Sequence, residues 1–150
     1  SIEQVEMTSC GLNDGPLKSE GSYPAAIACN LTNGRMPHTD VNKTEELIPH
    51  VTHENQVHFI REITDHTQII YKYFIFSGSS RLYLHIRGTA EGNIRIYAGQ
   101  KELTVLSVKP SKDWHVEVAS IYVTGIWPLG FIFEGNGILE FRDFSFLPEE

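Results

Sequence analysis

Aromatic, histidine and arginine side chains at alternating spacing are the chemistry this sequence offers. Tyr83, His85 and Arg87 alternate with Leu82, Leu84 and Ile86, and Arg95 and Tyr97 alternate with Ile94 and Ile96. Residues two apart in a strand share a face. The aliphatic set is expected to point into a core, and Tyr83, His85, Arg87, Arg95 and Tyr97 are expected to share the opposite face. Such a face is either ordinary solvated sheet or a platform for a ligand. Rings beside arginine and histidine suit a sugar, offering an apolar plane to its C–H face and hydrogen bonds to its hydroxyls.

Signatures of catalysis are missing. The sequence has no GxGxxG or GxxxxGK[ST] loop and no GxSxG elbow. His50-Val51-Thr52-His53-Glu54 lacks the HExxH spacing and spreads its candidate ligands over different faces. Neither Cys10 nor Cys29 has a histidine beside it, which argues against a thiol nucleophile. Without CxxC or finger spacing the two cysteines also argue against structural zinc. They are either a disulfide closing a loop of about 20 residues, worth roughly 3 kcal/mol, or two buried thiols. Acidic residues fall mostly in loops or outward strand positions, as solvated charge does. The chain is not expected to be an enzyme.

Charge narrows the partners. Nineteen acidic against 12 basic residues give a net charge of -7 over 150 residues. A phosphate backbone would be repelled, so nucleic acid is not an expected partner. Neither a basic amphipathic helix nor a long apolar run points to a membrane. Residues 1–20 lack the pattern of a secretion leader, which is expected to have been removed or not to belong to this sequence. At 41% hydrophobic the chain can bury a core, and its length suits one domain spanning 1–150.

The elements that must hold these residues read as strands. Residues 9–50 are dense in turn formers, with short strands expected at Ile2–Thr8 and Ala25–Leu31. Strand-like runs follow at Ile69–Phe76, Leu82–Arg87, Ile94–Tyr97, Leu103–Val108, His115–Ala119, Leu129–Phe133 and Ile138–Phe146. Turns are expected at Ser77–Ser80, Gly88–Gly92, Ala98–Gln100, Pro110–Asp113 and Glu134–Gly137. Short strands with turns every 8–12 residues predict an all-β sandwich of two antiparallel sheets with no long helix.

Several segments in this order resemble a known family. Asp65-His66-Thr67-Gln68-Ile69-Ile70-Tyr71-Lys72-Tyr73-Phe74 looks like D-G-x-x-I-G-Y-K-Y-F, with His66 and Ile70 where glycine is usual. Arg87–Ile96 looks like RG-x-x-x-G-x-I-x-V, and Pro110-Ser111-Lys112-Asp113-Trp114 like P-S/T-x-x-W. Phe131–Leu139 resembles the closing F-x-F-x-G-x-G-x-L. The stretches Val5–Leu12 and Tyr23–Leu31 resemble the start of the same modules. The family is carbohydrate-binding module family 6, in the version appended to family 43 glycoside hydrolases of the xylosidase and arabinofuranosidase type. The resemblance implies a jelly-roll β-sandwich that binds polysaccharide without cleaving it.

In that family a cleft built of loops holds a sugar between two rings, with an asparagine on its hydroxyls. The resemblance puts Trp114 at the place of the binding tryptophan; the other reading is a core tryptophan. Asn136 lies next to the expected asparagine, at the place Gly137 takes. No tyrosine or tryptophan lies between Pro24 and Val57 to supply the second ring, leaving His38, His50, His53 or Tyr23. Trp127, before Pro128, is either a rim platform or a plug against a catalytic domain. The family also implies a structural calcium, and Gln4, Glu6 and Asp143 match its ligand positions. The implied partners are a plant cell-wall polysaccharide (xylan, arabinoxylan or arabinan) and a tethered family 43 hydrolase, outside or on the surface of a bacterial cell. The alternative is a structural accessory domain that packs on the catalytic domain without binding glycan itself.

Overall fold

The structure is a computed structural model and describes residues 15–33 and 47–149. Its strands are β1 Leu17–Lys18, β2 Gly21–Pro24, β3 Asn30–Thr32, β4 His50–Glu54, β5 Val57–Ile63, β6 Gln68–Gly88, β7 Glu91–Ala98, β8 Lys101–Val108, β9 Ser111–Asn136 and β10 Leu139–Pro148. A single 3-10 turn spans Ala25–Ile27, and the described residues contain no other helix. The main ladder runs β4-β5-β10-β6-β9-β7-β8, with β1 and β3 on β6 and β2 on β10. Every pairing is antiparallel except the short β1–β6 contact.

Two long strands make this ladder a sandwich. β6 pairs with β9 along most of its length, yet the register jumps between Tyr71↔Leu129 and Phe74↔Trp127. Lys72 and Tyr73 therefore oppose Pro128 alone, which is a β-bulge. Pro128 has no N–H to give to a ladder, so the bulge falls where least pairing is lost. Burial changes phase across it. Ile69 and Tyr71 are buried before it, and Phe74, Phe76, Leu82, Leu84 and Ile86 after it. One layer holds β4, β5, β10 and the later half of β6 with the earlier half of β9. The facing layer holds β3, the start of β6, the end of β9, β7 and β8.

The core lies between them. Phe131 of β9 meets Phe141 and Phe144 of β10 at 5.4 and 5.8 Å, and Tyr71 meets Phe144 at 4.9 Å. None of these pairs is hydrogen-bonded strand to strand, so the contacts cross from layer to layer. Such ring pairs contribute ~0.5–1.5 kcal/mol each beyond the area they bury. Tyr71 is fully buried, and its hydroxyl donates to the Ala25 carbonyl at 2.8 Å. Burial pushes its pKa well above the usual tyrosine value.

The all-β sandwich is as expected, and four local expectations change. Ser77–Ser80 is strand, not turn: Ser80 is buried and each residue pairs across to β9, from Thr124 to Ile121. His115–Ala119 and Leu129–Phe133 belong to one strand that passes through both layers. Ala25–Leu31 opens as the 3-10 turn and is strand only from Asn30, because Pro24 leads in at φ −65° and the Ala25 carbonyl serves Tyr71 and the Ala28 N–H. A hairpin at β4–β5, turning at Asn55 and Gln56 with φ of 52° and 69°, adds a strand that was not expected at His50–Glu54. The strand expected at Ile2–Thr8 lies outside the described residues.

Candidate functional site

Trp114 sits on the outer face of the β5–β10–β6–β9 layer, near the end where β6 turns into β7. Ile60 of β5 pairs with Phe141 and faces the core, so its neighbour Phe59 faces outward. Phe59 is nevertheless buried. Its cover is Trp114, edge-on at 5.3 Å, and the Arg87 guanidinium at 5.1 Å. Arg87 also lies 4.3 Å from the centre of the Trp114 ring, and His85 meets that ring edge-on at 5.8 Å. The Arg87 side chain donates to Glu140 at 2.6 Å and to Glu54 at 3.2 Å. Burial lowers the Arg87 pKa, but these bonds outweigh it and the value ends above the usual arginine range. Trp114 is thus neither a core residue nor a free ring. It is a half-buried ring with a cation against it.

Beside this cluster the loop end carries an open cavity of about 560 Å³. Arg61, Arg87, Thr89, Ser111, Lys112 and Glu140 are among its walls, and no aromatic ring is. Asn136 is exposed at the end of β9, opposite Glu91, and lines neither the cavity nor the Trp114 ring. The backbone there is tightly fixed. A Cβ at Gly135 would fall 2.3 Å from the Glu91 carbonyl oxygen, and one at Gly92 2.2 Å from that of Glu134.

The five-residue platform expected from alternation does not form. Tyr83, His85 and Arg87 face outward from β6 beside Trp114. Arg95 and Tyr97 face outward from β7, in the other layer. Alternation fixes a side relative to each strand's own sheet, and these two sheets are stacked back to back. Arg95 is taken up by Glu134 at 2.7 Å and Glu102 at 2.9 Å, which hold its pKa far above the usual range. Tyr97 donates to Glu102 at 3.3 Å; burial and the Glu102 charge raise its pKa.

Trp127 stands apart at the opposite end of the sandwich, beside the β7–β8 turn. It is 45% exposed, with its indole N–H donating to the Thr124 carbonyl at 2.8 Å. Of the metal positions, Gln4 and Glu6 lie outside the described residues. Asp143 Oδ2 already faces His85 at 3.3 Å and Arg142 at 3.5 Å. Among the described residues no group of three or more His, Cys, Asp or Glu could hold a metal. His50 and Glu54 of the other histidine cluster pair with Glu62 and Arg87 respectively. Cys29 is disulfide-bonded; the expected partner, Cys10, lies outside the described residues.

Sequence reasoning missed Phe59 and Tyr122. The signal for Phe59 was the consecutive apolar pair Phe59-Ile60, which a strand can satisfy only if both faces are covered. Tyr122 alternates with Ile121 and Val123 and faces out.

No family model matches the chain. It is 32% identical over 156 residues to a xylosidase/arabinosidase of Thermoclostridium stercorarium, matching over 97% of its own length. The chain spans about a third of that relative. Among solved structures, a family 6 carbohydrate-binding module from Clostridium cellulolyticum, in complex with xylose, superposes with a TM-score of 0.71 at 14% identity, over 87% of this chain and 98% of that one. A family 43 arabinoxylan arabinofuranohydrolase from Bacillus subtilis, in complex with cellotetraose, superposes at 0.66 and 14% identity, over 91% of this chain and 28% of that one. The chain therefore has the β-sandwich fold of the family 6 carbohydrate-binding modules, a fold that recurs inside a longer family 43 hydrolase.

Proposed function

We propose that the chain is a non-catalytic module that holds plant cell-wall polysaccharide of the xylan, arabinoxylan or arabinan class for a tethered family 43 hydrolase. The observation that carries this reading is the Trp114 ring, backed by Phe59 and His85 and bordering the loop-end region where Arg61, Lys112 and Thr89 line an open cavity. A ring beside hydrogen-bonding groups suits a sugar that offers both a C–H face and hydroxyls. The xylosidase/arabinosidase relative supports the choice of polysaccharide. Tethering makes even weak sites useful, because the second contact becomes intramolecular. Affinity electrophoresis on xylan and arabinan gels tests the reading. Retention of the native chain and its loss in Trp114→Ala are expected; no retention on any of these gels sinks it.

The second reading is a structural accessory domain packed on the catalytic domain. Arg87 favours it, since at 4.3 Å it already occupies ring surface that a sugar would need. Co-purification of a separately expressed catalytic domain, with no retention on the gels, would select this reading.

Calcium at Gln4, Glu6 and Asp143 is retained as a proposal, although the Asp143 carboxylate now faces Arg142 and His85. Native-only binding would raise the melting temperature in millimolar calcium over chelator. No shift, with Glu6→Ala also neutral, removes the metal. An extracellular or cell-surface location is likewise proposed. The disulfide at Cys29 supports it, since such bonds persist in oxidising compartments.

A further inference from the structure

The end of the sandwich away from Trp114 carries a ring that is exposed and yet held in place. Exposed side chains ordinarily sample several rotamers, and an exposed aromatic ring kept in one orientation needs a cause. Trp127 has three. Its N–H is tied to the Thr124 carbonyl at 2.8 Å. Its ring lies on Gly99, where a Cβ would come within 3.1 Å of Cε3. It also lies against Gly125, where a Cβ would come within 3.0 Å of Nε1. Both glycines have φ in the left-handed region, +61° and +101°. A side chain at either would thus be strained as well as crowded. Two glycines and a hydrogen bond seat one part of the indole and leave 45% of the residue open.

The open part borders a groove of about 380 Å³ that Tyr122, itself 67% exposed, also lines. Lys101, Gln100 and Thr124 supply an ammonium, an amide and a hydroxyl to the same groove. Gln100 lines a second groove as well, of about 450 Å³, with Tyr97 along it. Rings and uncharged or cationic donors in one groove, with no carboxylate among its lining residues, match a polyhydroxylated ring. They fit a cationic or a purely apolar ligand less well. Two grooves sharing a wall fit a chain of such rings better than a single one.

We propose that Trp127 and Tyr122 form a second glycan-binding subsite, at the far end of the sandwich from Trp114, which takes a sugar ring of a polysaccharide against the indole. The proposal rests on the reading of the chain as a glycan-binding module, but on different residues. Ring stacking is pre-organised there, because the indole loses little freedom when a ligand arrives.

The sequence has two tryptophans, so each indole N–H gives its own resonance in a proton–nitrogen correlation spectrum. The chain is titrated with xylo-, arabino- and cello-oligosaccharides, and Trp127→Phe assigns the peaks. Saturable movement of the Trp127 peak is expected, and it persists in Trp114→Phe. Tyr122→Ala, which leaves the glycine seat intact, should weaken that response by about tenfold, as loss of a stacking ring does. Movement of the Trp114 peak alone overturns the second subsite while keeping the first. If neither peak moves at millimolar sugar, both fail. Movement that follows protein dilution instead of sugar assigns the groove to a second copy of the chain and also overturns the proposal.

Discussion

The two tryptophans mark opposite ends of one sandwich and are held in opposite ways. Trp114 lies on a strand, its ring packed by Phe59, His85 and the Arg87 guanidinium. Trp127 lies at a bulge, its ring laid over two glycines and fixed through its own N–H. At the Trp114 end, glycine lets backbone approach backbone, as at Gly92 and Gly135. At the Trp127 end, glycine lets a ring approach backbone. Glycine at the first end builds the scaffold, and glycine at the second aims a side chain. The ring already covered by a cation is Trp114, and Trp127 is the more exposed of the two.

The largest effect should come from the scaffold glycines. Gly135→Ala sets a Cβ 2.3 Å from the Glu91 carbonyl oxygen and 2.8 Å from Gly92 Cα, with φ at +153°. The facing groups are backbone and cannot swing aside. A loss of about 2–4 kcal/mol is expected by urea unfolding, in the range of severe single changes. A loss below about 0.5 kcal/mol, the usual size of an indifferent surface change, would erase the contrast between the two ends.

Arg87→Met comes next. It removes the cation from Trp114 and leaves the Glu140 carboxylate, only 17% exposed, without its closest partner. A loss of about 1–3 kcal/mol is expected from that lost charged hydrogen bond. If Arg87 blocks the ring, sugar retention rises despite lower stability. If Arg87 is part of the sugar site, retention falls. Trp127 fluorescence should be indifferent to the change.

Gly99→Ala should cost about 1 kcal/mol through strain at φ +61°. Its main effect is on position, because the new methyl pushes the indole edge at 3.1 Å. The Trp127 indole peak should move and the Trp114 peak should not.

The smallest effect concerns the core both ends share. In the folded state Tyr71 keeps its proton to a pH well above the usual tyrosine value of 10.0, whereas the unfolded chain releases it near that value. Above about pH 10 the unfolded state therefore binds fewer protons, and stability falls as pH rises. Tyr71→Phe should cost about 1 kcal/mol at pH 7 by removing the buried hydrogen bond to the Ala25 carbonyl, which keeps only the Ala28 N–H. It should also flatten the alkaline limb of a melting-temperature profile. An unchanged limb would place the alkaline sensitivity elsewhere.

Much of the fold was legible because alternation is a local signal. Leu82, Leu84 and Ile86, and Ile94 and Ile96, are all buried as their spacing required. The Ser77–Ser80 stretch was not legible. Small polar residues announce a turn, yet here they bridge two halves of a strand that β9 pairs throughout. The site was legible residue by residue and misread as a surface. Tyr83, His85, Arg95 and Tyr97 do all face away from the core.

By itself the sequence determined which residues face in and which face out, because side-chain direction in a strand has period two and depends only on near neighbours. It also determined the absence of the common catalytic motifs and the sandwich class. Only the tertiary structure decided which outward residues share a face. The bulge of Lys72 and Tyr73 against Pro128 carries the β6–β9 pair from one layer into the other. That step sends Arg95 and Tyr97 to one side of the molecule and joins Tyr83, His85 and Arg87 to Trp114 on the other. The layer a strand joins depends on hydrogen bonds between residues far apart in the chain, and local periodicity carries no record of them.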